Sequence, residues 1–155
     1  LGIEVPEDPE AVDATYSEVS TTELDGAQVY QADLDGTTVY AKEWSGMGLW
    51  GTIFGVIGIE ADGQRLTGLE IIAHNETPGL GGRIEEDWFK TQFADELVET
   101  GLALSGNPGD GDPDPDNGVI DGITGASRTS QAVLQILNRE IDTLQTSLEG
   151  ANGRD

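Results

Sequence analysis

At 155 residues the chain has room for one domain, and 30 acids against 7 bases give it a formal net charge of −23. That balance excludes nucleic acid as a partner and polybasic docking onto anionic lipid, because no basic face can neutralise phosphates. The lack of cysteine and the single histidine exclude disulfides, iron–sulfur clusters, a cysteine nucleophile and multi-histidine metal centres, while 36% hydrophobic residues suffice for one core.

Residues 1–25 are acidic, carry Pro6 and Pro9, and read as a lead-in or linker to a domain over 26–150. Val29 to Ala32 and Thr37 to Ala41 flank Asp35-Gly36, a two-residue hairpin signal. Thr52 to Glu60 and Arg65 to Ala73 flank Asp62-Gly63 in the same way. From Ile84 to Thr100 the apolar residues Ile84, Trp88, Phe89, Phe93 and Leu97 fall near every fourth position, which predicts a helix with those rings in the core. A glycine, proline and aspartate loop follows over 106–118. Val133, Leu134, Leu137, Ile141, Leu144 and Leu148 then predict an amphipathic helix over about 130–149, stopped by Gly150. The expected fold is a single α+β domain, an antiparallel sheet of hairpins with two amphipathic helices. No window is apolar for the roughly 20 residues that a bilayer span requires. The chain opens on Leu1, as a trimmed or mature form does, so a lost signal or anchor would leave no trace.

Three glycine-rich stretches carry the functional interest: WSGMGLWG at 44–51, HNETPGLGG at 74–82 and DGITGASRTS at 121–130. Each alone can be a turn. Together they suggest loops where backbone approaches a flat or phosphorylated ligand. The third ends where the last helix begins, so unpaired amides and the positive end of the helix dipole would face a phosphate, with Arg128 in support.

Those three stretches resemble the covalent-flavin domain found in the C subunit of the Na+-translocating NADH:quinone reductase and in the G subunit of the Rnf complex. The flavinylation motif D-x-x-S/T-G-A-T/S stands here as Asp121-Gly122-Ile123-Thr124-Gly125-Ala126-Ser127. The signature E-T-P-G-L-G is complete as Glu76-Thr77-Pro78-Gly79-Leu80-Gly81, and the G-L-W segment is Gly48-Leu49-Trp50. The G-L-W form leans toward the quinone-reductase branch, and the short segment between the second and third motifs toward Rnf.

The resemblance implies an FMN joined through its phosphate to the Ser127 hydroxyl, where the family more often has threonine. A separate flavin transferase, using FAD and Mg2+, would attach it. Thr124, Thr129 and Ser130 are rival hydroxyls, suited also to loop bonding or helix capping. By the same resemblance Trp50 stacks on the ring, and Leu49, Glu76, Thr77, Leu80 and Gly81 line it. Asp121, Thr124, Gly125, Ala126 and Arg128 surround the attachment point. Glu76 has two readings, a carboxylate that tunes the flavin potential or an acceptor at a helix N-terminus or in a loop. His74 reads as a structural hydrogen-bonding group rather than a proton shuttle.

The implied role is an electron carrier within a membrane redox complex that transports sodium, with no catalytic residue and no turnover of its own. The implied place is the extracytoplasmic face of the cytoplasmic membrane, anchored by an N-terminal segment absent here, and the lack of cysteine agrees with export. The acidity suggests a halophilic, saline-adapted surface. An alternative is an acidic cell-surface binding module holding Ca2+ through Asp110, Asp112, Asp114, Asp116 and Asp121. Pro115 sits where such a loop needs glycine, which argues against it. A hydrolase would need His74 as its base and a G-x-S-x-G elbow that the sequence lacks.

Overall fold

Asp35-Gly36 turns the chain with φ of 52° and 84°, both positive as a type I′ hairpin turn requires, and joins β2 (Ala27–Leu34) to β3 (Thr37–Met47). The computed structural model describes residues 19–106 and 108–153. Asp25-Gly26 makes the same turn between β1 (Ser20–Leu24) and β2, so the end of the expected lead-in is an edge strand. Residues 1–18 lie outside the described chain. β4 (Thr52–Glu60) and β5 (Leu66–Ala73) complete an antiparallel five-stranded meander in the order β1-β2-β3-β4-β5. Asp62-Gly63 sits within a longer loop than a two-residue turn, because Glu60 N–H donates to the Arg65 carbonyl at 2.9 Å. The first glycine stretch closes the β3–β4 hairpin, with Gly48 N–H donating to the Gly51 carbonyl at 2.8 Å.

The helix expected from Ile84 to Thr100 does not form. A 3-10 turn (Gly81–Glu85), one α-turn, α1 (Asp87–Lys90), and a second 3-10 turn (Thr91–Phe93) take its place. The cause is competition for backbone bonds. Asp95 stands at φ 62° and donates to the Leu66 carbonyl, while Val98 N–H goes to Gln64 and Leu97 N–H to Pro115. The chain therefore leaves the helix to run along the start of β5. The apolar residues still do the work expected of them: Ile84, Phe89 and Phe93 are buried, and Phe89 packs edge-on against both Trp88 and Phe93.

Short parallel strands β6 (Ala103–Leu104) and β7 (Val119–Ile120) bracket the aspartate loop. α2 (Ser127–Asn152) is longer at both ends than expected, beginning at Ser127 and running through Gly150. Gly150 is therefore a member of the last turns and not their stop; the chain ends its helix with Gly153 N–H on the Glu149 carbonyl. Val133, Leu134, Ile136, Leu137, Ile141, Leu144 and Leu148 share a core with Ile53, Ile57, Ile59, Leu69 and Ile71 of the sheet. Lys42 on β3 and Glu140 on α2 close a half-buried ion pair at 2.7 Å beside that seam. The α+β class expected from the hairpins and amphipathic stripes is the observed one. Among the described residues no helix is long and apolar enough to cross a membrane.

Candidate cofactor site

Glu76 organises the three glycine stretches. It is 3% exposed, yet each carboxylate oxygen has a partner from a different loop. Trp50 N–H, from the β3–β4 turn, donates to Oε1 at 2.9 Å. The Thr129 hydroxyl, in the first turn of α2, donates to Oε2 at 2.6 Å. A buried carboxylate is tolerated only with such partners. The glycines beside it have a steric reason: a Cβ on Gly48 would lie 2.6 Å from Glu76 Oε1, and one on Gly81 would lie 2.6 Å from Thr129 Oγ1. Glu76 thus accepts from a loop amide and from a helix hydroxyl.

The second stretch curls tightly around this point. The Thr77 carbonyl accepts from both Leu80 N–H (3.1 Å) and Gly82 N–H (2.9 Å), leaving the Thr77 side chain and Leu80 at the surface. Leu80 meets the third stretch at Gly125, where a Cβ would be 3.5 Å from Leu80 Cδ2. Leu49, Trp50 and Leu80 are exposed, Trp50 by 68%, so large apolar groups from two loops face outward.

The hydroxyls of the third stretch sort cleanly. Thr129 is buried and bonded to Glu76. Ser130 is buried; its Oγ accepts from Ile123 N–H at 3.0 Å and donates to the Ala126 carbonyl at 3.1 Å. Both bond inward rather than capping the helix. Ser127 and Thr124 are exposed. Ala126 is the N-cap residue and offers no side-chain acceptor, so the first amides of α2 end without a cap. Arg128 is exposed there and makes no ion pair among the described residues.

Asp121 takes no part in the Glu76 bonds. Its backbone is held by the buried Gln92, which accepts from Asp121 N–H at 2.8 Å and donates to its carbonyl at 3.2 Å. Gln92 also accepts from Asp112 N–H, tying the start of the aspartate loop to α2's approach. The only hint of it in the sequence is a polar residue set beside Phe89 and Phe93. Two aspartates of the loop bind its own backbone, Asp112 accepting from Asp114 N–H and Asp114 from Asp116 N–H, while Asp116 pairs with Arg65. Among the described residues no three acidic or histidine side chains assemble as a metal-ligand set.

The region thus combines an exposed hydroxyl at an uncapped helix start, the exposed Arg128 next in sequence, and exposed apolar side chains on glycine-rich loops. The chain belongs to the FMN-binding domain family, whose model matches residues 48–142. It is 35% identical over 97 residues to the G subunit of the ion-translocating oxidoreductase complex of Methanosarcina acetivorans, covering 62% of this chain and 46% of that one. It is 37% identical over 91 residues to the C subunit of the Na(+)-translocating NADH-quinone reductase of Neisseria meningitidis, covering 57% of this chain and 34% of that one. The chain thus spans less than half the length of these relatives. Among solved structures, the C subunit of the Na(+)-translocating NADH-quinone reductase from Parabacteroides distasonis superposes with a TM-score of 0.70 at 23% identity, over 90% of this chain and 83% of its own. NqrC of Shewanella oneidensis gives 0.63 at 20% identity, over 94% and 72%. These two likenesses establish a shared fold.

Proposed function

We propose that the domain carries FMN joined through its phosphate to Ser127 and relays electrons within a membrane redox complex. The observation that carries this reading is the sorting of hydroxyls. Thr129 and Ser130 are committed to internal bonds, whereas Ser127 is exposed in the first turn of a 26-residue helix. Thr124 is exposed too but lies three residues ahead of that helix. A phosphate on Ser127 would be met by the amides at the start of α2 and by Arg128. Bound FMN supplies the redox chemistry, and the chain supplies attachment, orientation and surroundings.

Trp50, Leu49 and Leu80 provide apolar surface for the ring, Thr77 and Gly81 shape the loop against it, and Glu76 holds those loops in register from behind. Gly125, Ala126 and Thr124 carry the chain past the phosphate, and Asp121 anchors the motif through Gln92. Attachment requires a partner, a flavin transferase using FAD and Mg2+, which forms the Ser127–phosphate bond as AMP leaves. The relatives' names support a place among the other members of an ion-translocating complex. We assign the domain, with β1 (Ser20–Leu24) as its first strand, to the extracytoplasmic face of the membrane, held there by an anchor outside this chain.

The test is co-expression with a flavin transferase, followed by intact mass and flavin fluorescence in a denaturing gel. Wild type should gain the mass of one FMN phosphoester and Ser127→Ala should not. Equal labelling of both would overturn the assignment.

A further inference from the structure

His74 precedes the second glycine stretch, and its Nδ1 accepts from Glu76 N–H at 3.0 Å. A neutral imidazole that accepts at Nδ1 carries its proton on Nε2. That nitrogen is buried without a hydrogen bond, 3.2 Å from Glu85 Oε1 but out of line with it. Glu76 is in turn the group that holds Trp50 N–H and the Thr129 hydroxyl. One path of bonds therefore runs from the imidazole to the β3–β4 turn and to the first turn of α2.

We propose that His74, in its Nε2–H form, is a positioning residue for the flavin site, and that a second proton on the ring releases Glu76 and loosens the loops it ties. This rests on the reading of those loops as the flavin site. The chemistry is a matter of donors and acceptors. An imidazolium has a proton on both nitrogens and cannot accept, so the Glu76 N–H bond is lost on protonation. Charged groups pack around the ring. Glu85 lies against Nε2, and Glu86 shares a cleft of about 360 Å³ with His74 and Arg83. Arg83 is turned to Glu86 and to the face of Trp88, with its charge 5.5 Å from the ring centre. Glu76 faces the ring through its backbone only, its carboxylate being engaged with Trp50 and Thr129.

The test separates this from the flavin assignment by using amide resonances of the flavin-free chain. Long-range proton–nitrogen spectra at neutral pH should show His74 protonated at Nε2. On acidification, as the ring gains its second proton, the Glu76 and Trp50 amide signals should move together. His74→Asn keeps an acceptor oxygen near the Nδ1 position and does not titrate. It should hold both signals near their neutral-form positions throughout. His74→Phe should displace both at every pH and reduce flavin labelling at least fivefold, while His74→Asn labels like wild type. Protonation at Nδ1 at neutral pH, or an unmoved Trp50 amide in acid, would overturn the proposal. If His74→Phe does not fold, the titrations of wild type and His74→Asn decide alone. If wild type takes no flavin, the function proposed above falls while the amide results still judge His74.

Discussion

Glu76 and Thr129 are 53 positions apart and share a 2.6 Å hydrogen bond between two buried side chains, out of reach of solvent. It fastens the E-T-P-G-L-G loop to the first turn of α2, two residues beyond Ser127. Thr129→Val keeps the shape and removes the donor, leaving a buried carboxylate oxygen unpaired. That costs about 1–3 kcal/mol, while Thr129→Ser should cost little. Urea unfolding checks both, and a Thr129→Val midpoint equal to wild type would show that the bond contributes nothing.

Gly81 lies inside the same contact. An alanine methyl there would come 2.6 Å from Thr129 Oγ1 and 3.1 Å from both Glu76 Cβ and Oε2. The side chains it meets are buried and fixed by each other, so the loop must shift. Overpacking of this kind costs about 1–3 kcal/mol. Gly81→Ala should lower the melting temperature and also the fraction of chains labelled by a transferase. Gly106→Ala is the control, because its Cβ would meet nothing within 4 Å. Equal effects of the two substitutions would discount the contact.

Trp50 contributes its backbone N–H to Glu76, and the residue is 68% exposed. Substituting the side chain should therefore spare the fold. Trp50→Ala is expected to change stability by no more than about 0.5 kcal/mol, as exposed substitutions generally do, and to leave labelling of Ser127 intact. The bound flavin should respond, in fluorescence yield or in reduction potential. A flavin spectrum and potential identical to wild type would place the ring elsewhere.

The β2–β3 hairpin was legible because Asp35-Gly36 fixes both turn type and register; Asp62-Gly63 located the β4–β5 connection but not its loop length, and β1 was hidden in the acidic lead-in. The helix expected over 84–100 does not form. Its apolar spacing is shared by a chain that makes short turns and then pairs with β5, and only Asp95, at a positive φ, marks the break. At the site, the glycines and the Ser127 position could be read from local pattern. The roles of Thr129, Gln92 and His74 could not, because each depends on a partner on another element. Spacing along one segment holds no information about that partner.

Glu96 gives the fold an internal pH dependence. It is 1% exposed, with Oε1 unpaired. Burial pushes its carboxyl up from the usual range; the backbone N–H groups of Gly118 and Val119 act the other way, and repulsion from Asp112 and Asp114 adds to the rise. The folded chain thus holds this proton more tightly than the unfolded one. No penalty exists while both are protonated, and one develops as pH rises from the ordinary glutamate range through the raised folded value. Glu96→Gln removes it, so its stability relative to wild type should improve on going from about pH 4 to pH 7. The exposed Glu99→Gln controls for loss of one charge. A Glu96→Gln advantage that is flat with pH, or no larger than that of Glu99→Gln, would refute the assignment.

The surface charge leads to the last expectation. Among the described residues Lys42, Arg65, Arg83 and Lys90 form ion pairs with acids, yet with 30 acids and 7 bases most carboxylates face one another across solvent. Each such repulsion is weak in water, but the sum over a small body opposes the compact state. The Debye length falls from about 10 Å at 0.1 M salt to about 3 Å at 1 M. Molar salt should therefore remove most of the repulsion, while the exposed ion pairs it also screens are each worth little. The melting temperature at neutral pH is expected to climb from low salt to beyond about 1 M NaCl. Any rise past that point would report ion exclusion rather than screening. A small Ca2+ addition at constant ionic strength should do no more than Mg2+, since Asp112 and Asp114 already accept from the loop's own amides. A large stabilisation by Ca2+ alone would instead revive the aspartate loop as a cation site. A melting temperature flat between about 0.1 and 2 M NaCl, across a tenfold or greater change in salt, would show that the acidity serves something other than a saline environment.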